Sequence, residues 1–335
     1  MNKSETAFLP CGIEISCKVL VINLSGKAPC EFANTPTGHQ CLIRWLQLAG
    51  SQIRVCMEAT GLYGLDLALA LHAAGIAFMI VHPRSARNFA RAMMQRSKTD
   101  RLDAIVLREY AARMPFEPWR PPSPQALHLM AIAHRIQALT RMITAEKNRL
   151  HAASLSRALP AVVRQDLARS IQSLQRALKR LTLAALELVL SDPQLARRNE
   201  LLLSVPGIGV TSALNVLAEI LRLGPDCGVR QWVAFAGLDP RHYTSGTSVA
   251  KKTIISKSGN AHLRRALYMP ALVTVQHEPH FRGFYQHLVA RGKTKLQAIV
   301  AVMRKLLHAI YGMFKHNQLF DGSKIYALDT SCAQN

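Results

Sequence analysis

Short apolar runs alternate with amphipathic stretches over the first 115 residues of the chain. β-branched residues dominate the stretch from Ile13 to Leu24, which predicts a strand with a hairpin turn near Ser25-Gly26. Strands are also predicted from Ile53 to Met57 and from Ile76 to Val81. Helices are predicted over residues 35–48, 62–74, 84–94 and 99–113. Strands that alternate with helices indicate an α/β layer with a mixed sheet.

A cluster of prolines between residues 115 and 124 interrupts this pattern and marks a boundary. Beyond it, apolar residues recur at alternating spacings of three and four from Leu129 to Leu150, and again after Pro160 from Leu167 to Leu188. This seven-residue rhythm predicts two long helices that pair as an antiparallel hairpin or coiled coil. The pairing would serve either an internal helical bundle or an oligomer interface.

The last third of the chain is predicted to be mostly helical, with one polar, basic loop between Leu238 and Asn260. The patterns together divide the chain into three parts, residues 1–115, 116–195 and 196–335. We therefore expect an α/β domain, a helical coiled-coil segment and a mostly α-helical domain, in that order.

Charge points to the partner. The 335 residues include 42 Lys and Arg against 20 Asp and Glu, a net charge of +22, whereas solubility alone needs a charge of about 2–8. Every part is basic, with net charges of +5, +6 and +11 along the three parts. Such an excess indicates a polyanion. We expect nucleic acid rather than a membrane, because we predict neither a spanning helix nor a signal peptide. The seven cysteines are scattered, and we read them as reduced thiols of a cytoplasmic protein.

Scarce acidic residues form the first candidate site. Glu58 ends a predicted strand, where carboxylates face the ligand crevice of an open sheet. Asp100 and Asp103 stand three residues apart on one face of a helix that Thr99 would cap. Two like charges on one face are explained by a divalent cation such as Mg²⁺, which would bridge to phosphates. The alternative is a solvated helix N-terminus, where acids stabilise the helix dipole.

Glu14 is the fourth acid of interest, because isoleucines flank it in a predicted strand. An acid in a central strand is out of place unless it faces a site. The alternative is an edge strand with Glu14 in water.

A second candidate site is the basic loop that contains Ser245. Small hydroxyl residues among Lys and Arg suit phosphate contacts. Ser245 precedes Gly246, which would leave its hydroxyl accessible as a nucleophile, with Tyr243 as a chemical rival. The residue chemistry alone favours a phosphate-binding loop without a nucleophile. The candidate phosphate contacts are Arg241, Lys251, Lys252, Lys257, Arg264 and Arg265.

Pro206-Gly207-Ile208-Gly209 is a third motif, lying between two apolar helical stretches. The amides of Gly207 and Gly209 could contact a nucleic-acid backbone without reading its sequence. A tight turn between two helices has the same composition.

Seven short motifs, taken in order, resemble the DEDD-type insertion-sequence transposases, a family of bridge-RNA-guided DNA recombinases. The resemblance extends over roughly residues 10 to 320. The motifs are Gly-Ile-Glu-Ile-Ser at 12–16, Met-Glu-Ala-Thr-Gly-Leu-Tyr at 57–63, Lys-Thr-Asp-Arg-Leu-Asp-Ala at 98–104, Val-Pro-Gly-Ile-Gly at 205–209, Phe-Ala-Gly-Leu-Asp-Pro-Arg at 235–241, Ser-Gly-Thr-Ser at 245–248, and Ser-Lys-Ser-Gly-Asn with Leu-Arg-Arg-Ala-Leu-Tyr-Met-Pro at 256–270.

The resemblance implies a resolvase-like RNase H fold in the first part, with Glu58, Asp100 and Asp103 on three of the four acids that bind Mg²⁺. It implies that Ser245 attacks a DNA phosphate and forms a covalent 5′-phosphoserine link. It further implies a guide (bridge) RNA that pairs with target and donor DNA. The protein would act as a homo-oligomer, a dimer or tetramer, in the bacterial cytoplasm at the nucleoid.

One departure from the family pattern concerns its first acid, an aspartate that is replaced here by Glu14. The longer side chain moves the carboxylate by roughly 1.5 Å, and misplacements of that order can cost about 100-fold in rate. Glu14 is therefore either a working ligand in a shifted geometry or a sign of reduced activity. The alternatives to a recombinase are a junction-resolvase-like nuclease that uses water, and a catalytically weakened nucleic-acid-binding protein.

Overall fold

The structure is a computed structural model that describes residues 8–49, 52–59, 61–156, 158–224, 226–241, 244–245, 249–250 and 254–327, the four residues of the two short pairs by their backbone alone. The chain forms two compact units, residues 1–121 and 122–335. The boundary lies within the proline cluster. The first unit is a mixed α/β structure and the second is mostly helical, as the sequence patterns predicted.

A five-stranded sheet forms the centre of the first unit. Its strands are β1 (Leu9–Ile15), β2 (Val19–Leu24), β3 (Cys30–Ala33), β4 (Ile53–Glu58) and β5 (Ala77–Val81). Their order across the sheet is β3-β2-β1-β4-β5, with antiparallel pairing from β1 to β3 and parallel pairing of β1, β4 and β5. β1 is therefore a central strand.

The stretch from Ile13 to Leu24 is two strands, so its prediction as one strand is wrong. Ser16 makes the break, because its hydroxyl and its backbone N–H both donate to the carbonyl of Val19. A second turn follows at Ser25-Gly26, as predicted, and joins β2 to β3.

Helices cover both faces of the sheet. α1 (Pro36–Gln47) and α2 (Leu65–Ala73) pack on one face with Ile13, Val55 and Met57. α3 (Pro83–Ala92) and α4 (Asp100–Arg113) pack on the other with Cys56 and Met79. Neighbouring residues of a strand point to opposite faces, so even-numbered residues of β4 face α3 and α4.

Gly12 of β1 allows α4 to lie directly on the sheet. A Cβ at this position would stand 2.0 Å from the carbonyl oxygen of Ala104 and 2.4 Å from the amide nitrogen of Arg108. Both atoms belong to the backbone of α4, so no rotamer change could make room. The absence of a side chain at residue 12 therefore fixes how close α4 comes to β1.

The second unit has its own core of buried residues, contributed by helices along its whole length. The helices are α5 (Pro124–Leu155), α6 (Ala161–Leu190), α7 (Pro193–Leu203), α8 (Val210–Ile220), α9 (Val229–Ala236), α10 (Ala261–His277), α11 (Pro279–Ala290) and α12 (Lys295–His316). α5 and α6 pack against each other. Pro124 is the first residue of α5, and Pro160 precedes the first residue of α6. Within the described residues, we find no helix that combines the length and apolar character needed to span a bilayer.

The basic stretch predicted as a loop contains two short antiparallel pairs. β6 (Pro240–Arg241) pairs with β9 (Ile254–Ile255), and β7 (Thr244–Ser245) pairs with β8 (Val249–Ala250). The stretch is therefore a nested hairpin that starts and ends on the helical core. We call residues 242–253 the serine loop.

Candidate functional site

The acidic quartet, which is Glu14, Glu58, Asp100 and Asp103, meets at one edge of the sheet in the first unit. The parallel register pairs Gly12 with Cys56 and Ile13 with Met57, so Glu14 and Glu58 come at the same level of adjacent strands. Alternation puts both on the face that α4 covers. Because the two strands are parallel, their carboxyl ends meet at the same sheet edge.

The N-terminus of α4 brings the two aspartates to that edge. The Thr99 hydroxyl accepts a hydrogen bond from the N–H of Leu102 at 3.3 Å and starts the helix there. Asp100 and Asp103 then fall in the first helical turn. Asp103 immediately precedes Ala104, the residue whose carbonyl contacts Gly12. The close approach of α4 to β1 therefore places Asp103 over the end of β1.

In three of the four carboxylates of the quartet, burial outweighs the nearby positive charge and raises the pKa. Burial raises the pKa of Glu14 to about 7, and the other three carboxylates of the quartet add to that effect. Burial also raises the pKa of Glu58 and of Asp103, while Lys98 opposes the rise in both. A site that disfavours its own ionised form is one that a cation would stabilise.

One oxygen of the quartet is free to bind a divalent cation. Oε2 of Glu14 is buried and has no hydrogen-bond partner among the described residues. A buried carboxylate oxygen without a donor costs free energy unless something else contacts it. Carboxylate oxygens are the ligands that hard divalent cations prefer. The half-buried Glu58 and Asp103 and the exposed Asp100 would complete the set.

The serine loop belongs to the second unit. The backbone of Ser245 lies in β7, paired with Val249 of β8. The side chain of Ser245 lies outside the described residues, as do Tyr243, Lys251 and Lys252. The pairing of Arg241 with Ile254 closes the base from which the loop extends.

Hydrogen bonds hold the base of the serine loop to the helical core. The Ser256 hydroxyl donates to Oδ1 of Asp239 at 2.6 Å. The backbone N–H of Asn260 donates to the carbonyl of Phe235, also at 2.6 Å. The Arg264 guanidinium donates to the carbonyls of Ala236 and Gly259. Arg264, predicted from sequence as a phosphate contact, thus uses one guanidinium nitrogen to tie α9 to the segment before α10.

Three further predicted cations lie among the described residues of this region. Arg241, Lys257 and Arg265 are exposed. Lys257 adopts a left-handed backbone conformation with φ of 52°, which is uncommon for a residue with a side chain. Their contact with phosphate stays a prediction.

Gly207 has a packing role in the Pro206-Gly207-Ile208-Gly209 turn. It adopts φ of 103°, and a Cβ there would stand 2.6 Å from Oγ1 of the buried Thr274 in α10. The Thr274 hydroxyl donates to the carbonyl of Pro206. Gly209, by contrast, precedes α8 with open space around its Cα. The structure gives the turn a reason in helix packing, and a nucleic-acid contact remains a prediction for both glycines.

A buried polar network in the second unit was missed by sequence reasoning. Oε1 of the fully buried Glu219 accepts from Nε2 of His134 at 2.5 Å, and Oε2 accepts from Nδ2 of Asn260 at 2.5 Å. The ring of His134 stacks on that of His262, with centroids 3.8 Å apart. His134 and Glu219 lie 85 residues apart in sequence, and His262 and its partner Gln137 lie 125 apart. No local pattern could therefore have revealed this network.

The same network is the one group of described residues whose ligand atoms, on His134, Glu219 and His262, all lie within 4.8 Å of one another. Burial alone would raise the pKa of Glu219, but hydrogen bonds from His134 and Asn260 outweigh it and hold that pKa below its ordinary value. Both carboxylate oxygens are satisfied by these donors and by Arg222. Hydrogen bonding therefore accounts for the arrangement, and Asn260 links it to the base of the serine loop.

Comparisons with known proteins agree with this layout. A family model described as a transposase of the DEDD type of IS110 matches residues 14–160, and one described as "Transposase IS116/IS110/IS902 family" matches residues 199–286. The pilin gene-inverting protein of Moraxella bovis is 32% identical over 296 residues, which cover 87% of this chain and 90% of that protein. The Moraxella lacunata protein of the same name is equally similar.

An uncharacterized 43.6 kDa protein of the insertion element IS110 from Streptomyces coelicolor is 28% identical over 120 residues, which cover 36% of this chain and 29% of that protein. Together with the two Moraxella relatives, whose length this chain almost fully spans, these matches settle the family. The chain belongs to the IS110 family of insertion-sequence transposases, enzymes that recombine DNA.

Proposed function

We propose that this transposase is an RNA-guided DNA recombinase that cuts and rejoins DNA through the acidic quartet, acting with Mg²⁺, and a covalent 5′-phosphoserine formed by Ser245. The family implies a DNA substrate and an acidic site that depends on a divalent metal. The observation that carries the proposal is the buried, unpartnered Oε2 of Glu14 beside three further carboxylates.

Mg²⁺ is the cation proposed, because it binds carboxylate oxygens and completes its shell with water and phosphate oxygens. Glu14, Glu58, Asp100 and Asp103 would hold it. When bound, it supplies charge neutralisation at a phosphate that is being attacked. The quartet orients the ion, and α4, held against Gly12, keeps the two aspartates in register with the strand ends.

Ser245 is proposed as the nucleophile. Its Oγ would attack the phosphorus of a DNA phosphodiester, losing its proton to a base, while the bond from phosphorus to O3′ breaks. The leaving oxygen takes a proton and becomes a 3′-hydroxyl, and the 5′ phosphate stays on the serine. The hairpin that carries Ser245 supports this role, because its base is tied to the core by Asp239, Asn260 and Arg264.

The guide RNA, which would pair with target and donor DNA, is proposed from the charge of the chain together with its family. A net charge of +22 spread over the whole sequence suits more than one polynucleotide strand. The Moraxella relatives are named for inverting a pilin gene. Inversion joins two pairs of DNA ends, and we propose that this protein makes strand exchanges of the same kind as a homo-oligomer, a dimer or tetramer.

The fold assignments that support this function are also proposals. The strand order β3-β2-β1-β4-β5, with β1 central and β2 antiparallel to it, supports an RNase H-like first domain over residues 1–115. The paired α5 and α6, which repeat apolar residues every seven positions, support a coiled-coil segment over residues 116–195. The serine would then belong to a third domain over residues 196–335.

The decisive experiment traps the covalent adduct. The full-length protein, purified with its co-expressed RNA, is incubated with Mg²⁺ and DNA that spans the ends of its element, and the products are separated under denaturing conditions. We expect a protein–DNA adduct that Ser245→Ala abolishes and that Ser248→Ala, the matched control in the same loop, retains. Asp103→Asn should abolish the adduct without abolishing DNA binding.

Other outcomes identify the alternatives. An adduct that survives Ser245→Ala but not Tyr243→Phe makes the tyrosine the nucleophile. Cleaved DNA with free ends and no attached protein indicates a nuclease that uses water. Sequencing of the co-purified RNA tests guidance separately, because a guide must contain segments complementary to both DNA partners.

A further inference from the structure

A cleft of about 340 Å³ opens beside the acidic quartet within the first unit. Two acids of the quartet, Glu58 and Asp103, line it. Four cationic residues also line it, namely Arg87, Arg91, Arg96 and Lys98. We call this feature the arginine cleft. It thus places acids proposed to hold a metal in the same cleft as a concentration of positive charge.

The helix α3 contributes two of the four cations of the arginine cleft. Arg87 and Arg91 are four residues apart, so they lie on one face of α3. Ala86 and Ala90 of the same helix also line the cleft, and their side chains are short. Arg84 stands on the same helix and is also exposed, but it does not line the cleft.

The four cations have no acidic partner of their own. Over the part of the chain that the structure describes, none of Arg87, Arg91, Arg96 and Lys98 forms an ion pair within 4.0 Å of a carboxylate. All four are exposed. Two of them act on the quartet from a distance, since Lys98 and Arg87 both lower the pKa of Glu58 against the effect of its burial.

This arrangement weakens a metal site unless a polyanion enters. Positive charges near the quartet repel an incoming cation, and in a site with few other charges they would be a defect. A nucleic-acid strand removes the conflict, because it brings one phosphate to the metal and further phosphates to the cations. Guanidinium groups suit the second task, since their planar forks bind phosphate oxygens in pairs.

We infer that the arginine cleft binds the DNA strand that is cut, by gripping the phosphates next to the one held at the acidic quartet. This inference rests on the proposed function, in which the quartet acts on a DNA phosphate. Arg87 and Arg91 contact the neighbouring phosphates, and Lys98 lines the same cleft. The contacts are to the backbone, so they position the strand and read no bases.

The test compares the Arg87→Gln/Arg91→Gln double variant with Arg84→Gln, which removes the same charge from the same helix outside the cleft. All variants are made in the full-length Ser245→Ala protein with its RNA bound, and binding of a fluorescent single-stranded DNA from the element's end is measured in EDTA. Neither metal nor nucleophile is then needed, so a failed serine mechanism would leave the measurement intact.

We expect the double variant to raise the dissociation constant by at least about tenfold, from the loss of charge-assisted hydrogen bonds. Its slope of log affinity against log salt should fall by about 1.4, or about 0.7 for each phosphate released on a single strand. Arg84→Gln should change the dissociation constant by less than about twofold, because a surface charge outside the contact adds little. Thermal unfolding should be unchanged in both.

Three results would overturn the inference. The first is a double variant that binds DNA as tightly as the parent. The second is an Arg84→Gln variant that loses as much affinity, which would reduce the effect to net charge. The third comes from the same sequence offered as RNA to the protein freed of its own RNA: if the double variant weakens RNA binding and leaves DNA binding intact, the cleft serves the guide instead.

Discussion

Gly12 makes the sharpest prediction, because its substitution acts on the acidic quartet without touching an acid. In the variant Gly12→Ala, the new Cβ would stand 2.0 Å from the carbonyl oxygen of Ala104. Ordinary contact begins near 3.4 Å, so α4 must retreat from β1 by roughly 1.4 Å. The atoms that the Cβ would meet, in Ala104 and Arg108, belong to the backbone of α4. A side-chain rotation therefore cannot relieve the clash.

Two consequences follow from that retreat. Overpacking of this kind costs about 1–3 kcal/mol of stability. Asp103 precedes Ala104 in the chain, so it moves with α4 and away from Glu14. A displacement of about 1 Å in an active site can cost about 100-fold in rate. We therefore expect adduct formation to fall by about two orders of magnitude while most of the protein remains folded.

The assay measures the rate of adduct formation and the free energy of unfolding on the same preparation. Gly312→Ala is the matched control, since a Cβ at that position in α12 meets nothing within 4 Å. It should leave the rate of adduct formation almost unchanged and raise stability by about 0.5–1 kcal/mol, because alanine favours a helix interior over glycine. A Gly12→Ala protein with full activity and unchanged stability would refute the close packing of α4 on β1. A loss of activity no greater than the loss of folded protein would refute its role in positioning Asp103.

Three further predictions concern other sites. Glu14→Gln should raise the melting temperature without metal at pH 8 but not at pH 4.5. The folded-state pKa of Glu14 lies near 7, so its ionised form costs stability only as pH rises from 4.5 to 7. Mg²⁺ should then stabilise the parent at pH 8 and not the variant, and equal stabilisation of both would speak against Glu14 as a ligand. Glu219→Leu should cost about 3–5 kcal/mol at pH 7 by leaving buried donors unpaired. Since the pKa of Glu219 is lowered, its contribution to the free energy of unfolding should be lost as pH falls below 4.5. Denaturant titrations at pH 7 and pH 4 measure this loss, and a parent protein that is equally stable at both would contradict it. Gly207→Ala should destabilise the protein by about 1–3 kcal/mol through its contact with Thr274. Gly209→Ala should change stability by less than about 0.5 kcal/mol. Equal effects of the two substitutions on thermal unfolding would contradict the packing role of Gly207.

Much of the first unit could be predicted from the sequence, because its signals are local. The alternation of strands with helices follows apolar periodicity, and the caps at Thr35 and Thr99 start α1 and α4 as threonines should. The meeting of Glu14 and Glu58 follows from parallel strands whose ends share an edge, whereas the two aspartates reach that edge because α4 packs on Gly12. The break between β1 and β2 was missed, since Ser16 makes it with a hydrogen bond that leaves the apolar pattern intact.

The parts that could not be predicted depend on distant partners. Nothing near Glu219 in sequence indicates that His134, 85 residues away, donates to it. The basic character of α3 was visible as Arg84, Arg87 and Arg91, but only the fold shows that two of the three face the quartet. Arg264 was predicted as a phosphate ligand from its charge alone. Its hydrogen bond to the carbonyl of Ala236 could not be predicted, because a sequence gives the charge of a side chain and not its contacts.

The alternation of side chains along β1 has a consequence for how this protein can change in length. Adding one residue between Gly12 and Glu14 would send the carboxylate to the layer of α1 and α2 and bring a new side chain beneath α4. Adding two would restore the face but lengthen the strand past the quartet. An insertion in a turn, such as the one after Leu24, does not change which face the strand residues point to, because the turn can absorb the added residue. We therefore expect natural insertions and deletions to occur mainly in the turns. In a scan of single-residue deletions, those in β1 up to Glu14 should abolish activity, whereas those in the turns should be tolerated.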